Sequence, residues 1–170
     1  MMGEGVAEFW AGAVADVRAM SGLLRIGVSV PDLAVRARGR QVYVATPFSA
    51  RLNGRYGAAR KLCALRLEVE AARALDALAR EGVAGVSPVL MAIGMIHSRD
   101  RVADGDGPGG YLDHAFWMDW SRRFLDASGS VWVPDLPGWE RSVGIAREVE
   151  WALARNVPVF VQGQVGHADD

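Results

Sequence analysis

Between residues 4 and 20 the apolar positions Val6, Phe9, Trp10, Ala13, Val14, Val17 and Met20 fall at helical spacing, which predicts an amphipathic helix. That helix either packs on the flank of the main domain or makes an oligomer contact. Residues 25–30 alternate briefly, Pro31 breaks the pattern, and the polar stretch 36–40 precedes a strand at 42–46. Residues 31–40 therefore read as a linker. The chain divides into an N-terminal helical arm, 1–40, and a domain over 41–170.

Beyond residue 41 the pattern alternates strand and helix: YVAT, a long helix, GVSPV, a helical stretch, SVWVPD, a further helix and VPVFVQ. Such alternation predicts parallel strands joined by right-handed crossovers and covered by helices on both faces. The expected architecture is a three-layer, doubly wound α/β sandwich with a mainly parallel sheet of four to five strands. Val44, Val86, Val133 and Val159 should be interior. The long helix is marked by Leu62, Leu65, Val69, Ala72, Leu75 and Leu78, and Gly82 supplies its stop.

Composition narrows the classes. A chain of 170 residues, 51% hydrophobic, suffices for one domain with a real core and no disulfides or metals. The one cysteine, Cys63, reads as packing. A net charge of -1 argues against a duplex nucleic-acid footprint and for a small-molecule ligand. No apolar run reaches bilayer length, and Glu4, Asp16 and Arg18 do not suit a signal peptide, so a cytoplasmic protein with no membrane partner is expected.

Three segments should converge beyond the carboxyl ends of the strands, where open parallel sheets bind ligands. They bring Thr46, Pro47, Phe48 and Ser49; Ser87, Pro88 and then His97; and Trp139, Ser142 and Gly144 just before Glu148. On a helix begun by Ser142, with Ile145, Val149, Ala152 and Leu153 as its core stripe, Glu148 has no basic residue at i±3 or i±4. Glu150, with Arg147 three residues earlier, looks like a surface charge. Aromatics offer stacking, small polar groups offer hydrogen bonds, and an unpaired carboxylate offers a nucleophile. Asp119 is either a solvated carboxylate pairing with Arg122 or Arg123, or a second active-site carboxylate. His97 and His114 lack metal-ligand spacing, and no metal or cofactor is expected. His167 lies near the terminus and reads as uninformative. Residues 98–111, with four glycines, read as a flap or a disordered loop. Arg51 and Arg55 pair a phosphate or form surface salt bridges.

Over roughly 42–162 these residues resemble the nucleoside 2-deoxyribosyltransferase superfamily, and more closely a bacterial and phage branch of it. The family's YLAGPF-like motif is similar to YVATPF, 43–48, and its Ser-Pro to Ser87-Pro88. Its D-x-G-T-x-x-E signature is similar to the run from Ser142 to Glu148, although the Asp is Ser142 here and the Thr is Ile145. The resemblance implies a Rossmann- or flavodoxin-like fold and a nucleoside or nucleotide substrate. It implies catalysis by Glu148 as nucleophile, with Tyr43 orienting it and Asp119 protonating or holding the leaving base. It also implies a homo-oligomer, since the family commonly completes its site with a neighbouring subunit. The two departures affect contacts to the sugar hydroxyls. Two main functions follow: an N-glycosidase, hydrolase or transferase, or a non-catalytic nucleotide-binding module that keeps the fold. A third is an interaction protein that binds through its arm.

Overall fold

The computed structural model describes residues 22–99 and 109–164, together with 5, 6, 8–10 and 12. Five strands, β1 (Leu24–Ile26), β2 (Val42–Val44), β3 (Gly85–Val86), β4 (Ser130–Val133) and β5 (Val159–Val161), form one sheet. Every pairing is parallel, and the spatial order is β1-β5-β4-β2-β3. The helices are α1 (Val30–Arg36), α2 (Ser49–Leu52), α3 (Gly57–Arg80), α4 (Pro88–His97), α5 (His114–Ala127) and α6 (Val143–Leu153), with a 3-10 turn at Trp139–Arg141.

Because side chains alternate across a strand, each strand feeds two cores. On one face Val42, Val44, Trp132 and Phe160 pack against Leu33 and Ala34 of α1 and Ala74 and Leu78 of α3. On the other, Tyr43, Val131, Val133, Val159 and Val161 pack against Leu125 of α5 and Ile145, Val149 and Ala152 of α6. The fold is thus the expected doubly wound α/β sandwich. A third cluster, with Leu52, Leu67, Ile93 and Tyr111, ties together α2, α3, α4 and the segment ahead of α5.

Several local expectations are corrected. The segment read as arm and linker contains β1, the edge strand beside β5, and α1. Pro31 does not break a pattern there. It occupies the first turn of α1, where its missing N–H costs nothing, behind an N-cap at Ser29. Within the arm, Val6 and Trp10 are buried in the core beneath α6, and Trp10 meets the Trp139 ring edge to face at 5.0 Å. On α3 the buried stripe is Ala64, Leu67, Ala71, Ala74 and Leu78, whereas Leu62, Leu65 and Val69 are exposed. Alanines at three of these buried positions let the helix lie close to its neighbours, and Leu62, Leu65 and Val69 fall on its outer face. Val86 is only half-buried because β3 ends the sheet.

The topology also fixes where a ligand can bind. From β2 the chain passes through α3 to β3 on one face; from β4 it passes through α6 to β5 on the other. Since β2 and β4 are neighbours, the connections diverge between them and leave a crevice beyond their carboxyl ends.

Candidate functional site

A cleft open to solvent on one side occupies that crevice. The loop after β2 contributes Thr46, Phe48 and Ser49; α4 contributes Pro88; α5 contributes His114, Trp117, Met118, Trp120 and Ser121. Tyr111 closes one wall, and the start of α6 brings Ser142, Gly144, Ile145 and Glu148. Aromatic and aliphatic groups dominate, with a few polar groups among them, as in small-molecule sites.

Glu148 reaches the cleft because the Ser142 side chain caps α6, accepting from the Ile145 N–H at 3.4 Å, and sets the helix phase. With Val149 and Ala152 in the core, the same phase turns Glu148 towards β2. There the Tyr43 hydroxyl donates to Glu148 Oε1 at 2.5 Å, a contact between residues 105 apart in sequence. The carboxyl is enclosed by protein, although the side chain keeps some exposure to the cleft. Burial pushes its pKa up to about 7, against the opposing effect of the Tyr43 hydrogen bond. Tyr43 is itself pushed well above its ordinary value by burial and by the Glu148 charge, so it stays a donor.

Other polar groups complete the lining. Thr46 is buried, and among the described residues its hydroxyl has no hydrogen-bond partner. Ser49 Oγ and His114 Nε2 lie 2.7 Å apart. Burial and the positive charge of Arg147 hold the His114 imidazole below its usual pKa. A Cβ added at Gly144 would approach only Ser142 Oγ, at 3.8 Å, so the backbone there is open to close approach. The Trp117 indole donates to Gly110 O at 2.6 Å and holds the chain beside Tyr111.

Of the residues expected from sequence, Thr46, Phe48, Ser49, Pro88, Ser142, Gly144 and Glu148 line the cleft, with Tyr43 hydrogen-bonded to Glu148. Asp119 does not join them. It is exposed on α5, and Ser121 takes the α5 position near Tyr43. The two differ by about 200° around a helix, so the helix that presents Ser121 turns Asp119 away. His97 stands behind the wall, 3.7 Å from Glu68 and edge-on to Tyr111. Ser87 is spent capping α4, while Pro47 and Trp139 are buried outside the lining. Arg51 pairs with Glu70 and Arg55 donates to the Arg51 carbonyl, which engages both away from the cleft. Sequence reasoning missed Tyr111, His114, Trp117, Trp120 and Ser121 as lining residues. The signal was the spacing of His114, Trp117 and Ser121 at i, i+3 and i+7, a stripe easily taken for helix core.

Residues 100–108 of the glycine-rich loop and His167 lie outside the described residues. Among the described residues no group of three or more His, Cys, Asp or Glu side chains is placed to hold a metal ion, and no helix is long and apolar enough to cross a membrane. Residues 40–164, about three quarters of the chain, match the family described as a domain of unknown function (DUF1937). No curated protein matches the chain.

Proposed function

The chain belongs to the DUF1937 family, whose description carries no activity, and from the cleft we propose that it cleaves or transfers at the N-glycosidic bond of a (deoxy)nucleoside or nucleotide. The observation that carries this reading is the Tyr43–Glu148 pair at an aromatic-walled cleft. Tyr43 occupies Oε1, so Oε2 is the oxygen free to attack the anomeric carbon. As the bond to the base breaks, positive charge grows at that carbon and favours the ionised form of Glu148. Trp117, Trp120, Phe48 and Tyr111 offer faces and edges for a flat base. The Thr46 hydroxyl and the backbone at Gly144 are available to the sugar. We assign the activity to the cytoplasm and to a homo-oligomer, in keeping with the resemblance of 42–162 to nucleoside 2-deoxyribosyltransferases.

The test is release of free base from 2'-deoxynucleosides and their monophosphates, alone and with an acceptor base, followed by chromatography. Wild type should release base, Glu148→Gln should release none, and Glu150→Gln should match wild type. Retention of full activity by Glu148→Gln would end the nucleophile assignment.

Ile145 favours a second reading, a binding module without catalysis. Its side chain is apolar and buried where the resembling signature has a threonine. In that case nucleotides raise the melting temperature of wild type, and no base is released under any condition.

A further inference from the structure

Among the described residues one carboxylate lines the cleft, yet turnover needs a second proton-handling group. With Asp119 turned outward, the titratable side chains lining the cleft among the described residues are Tyr111, His114 and Glu148. Tyr111 is pushed above its ordinary pKa by burial and stays protonated. His114 stands on the first turn of α5, on the more exposed side of the cleft, with Nε2 2.7 Å from Ser49 Oγ. The charged groups around it are Arg147 from α6 and the preceding Asp113, whose carboxylate is engaged by the Gly109 and Phe116 N–H groups.

We propose that Ser49 and His114 form a relay that activates water for the second half of the reaction, making the protein a hydrolase. This rests on the assignment of Glu148 as nucleophile. In the first half a Glu148 oxygen bonds to the anomeric carbon as the carbon–nitrogen bond breaks, and the base leaves with that electron pair. In the second half water attacks the same carbon. The carbon–oxygen bond to Glu148 breaks and its electron pair returns to the carboxylate. The proton from water passes to Ser49 Oγ as the Ser49 hydroxyl proton passes to His114 Nε2, and is later lost to solvent. Burial and Arg147 keep the imidazole neutral at pH 7, ready to accept.

The test uses the full chain and a purine 2'-deoxynucleoside alkylated at N7, whose charged base departs without needing a proton. Wild type should release base and free sugar continuously. His114→Ala should release about one equivalent of base in a burst and then turn over roughly 100-fold more slowly or worse, as loss of a general base predicts. Mass spectrometry should find deoxyribose on the Glu148 peptide. Azide, an anionic nucleophile that needs no base, should restore turnover as glycosyl azide. Ser49→Ala should behave in the same way, which separates a proton relay from a folding defect in either variant. Unchanged turnover in His114→Ala, or loss of burst and turnover together without azide rescue, would overturn the relay while leaving Glu148 as nucleophile. An inactive wild type would remove both assignments at once.

Discussion

A carboxylate set among apolar groups is costly to ionise, and at Glu148 that cost carries a pH signature. Its pKa rises from an ordinary 4.5 to about 7. Between these values the folded chain keeps a proton that the unfolded chain has lost. Glu148 therefore favours the fold fully below pH 4.5, progressively less up to about pH 7, and no longer above it, a change of about 3 kcal/mol. Glu148→Gln should remove this slope, so thermal melts from pH 4 to 9 should show the variant gaining on wild type as pH rises to 7 and keeping a constant lead beyond. Tyr43→Phe deletes the hydrogen bond that lowers the Glu148 pKa. Its rate profile should move to higher pH, with about 10- to 100-fold lower activity at neutrality, the usual value of a hydrogen bond to a charged group.

At the scale of elements, the capping serines Ser87 and Ser142 serve different ends. Ser87 accepts from the Leu90 N–H at the start of α4 and lies outside the cleft lining, whereas Ser142 caps α6 and faces the cleft. Ser87→Ala should cost about 1 kcal/mol in urea unfolding, the ordinary value of an N-cap, and leave ligand affinity unchanged. Weaker ligand binding in that variant at saturating stability would return Ser87 to the site. Helix α3 shows how periodicity misleads. Its large residues Leu62, Leu65 and Val69 follow helical spacing as well as the buried alanines do, and the neighbours decide which stripe is covered.

Over the whole molecule, the sheet gathers the cleft from segments distant in sequence and extends to β1, ahead of residue 41. Trp10 shares one core with Trp139 and α6, so its side chain supports the helix that carries Glu148. Trp10→Ala should lower stability by about 3–5 kcal/mol, the cost of truncating a buried aromatic. The variant should still unfold in one transition, because Val6 and Trp10 belong to the same core as the sheet and α6. Two transitions in a calorimetric scan would mean that the arm folds on its own.

The fold class was legible because alternating apolar strands and amphipathic helices leave few ways to bury their faces, and parallel strands with short connections wind in one hand. The Glu148 position was legible too, since Ser142 starts its helix and local periodicity sets its phase. Three-dimensional packing settled what local pattern could not. Leu24–Ile26 is too short a run to announce a strand and becomes one only by pairing with β5. Asp119 and Ser121 stand two residues apart on one helix, and the packing of α5 on the sheet chose the serine for the interior. Ser49 and His114 are 65 residues apart, as Tyr43 and Glu148 are 105, so each pair exists because strands β2 and β4 lie side by side. Register along a helix is a local property, but which neighbour faces it depends on sheet order, and that order follows from burying every apolar face at once.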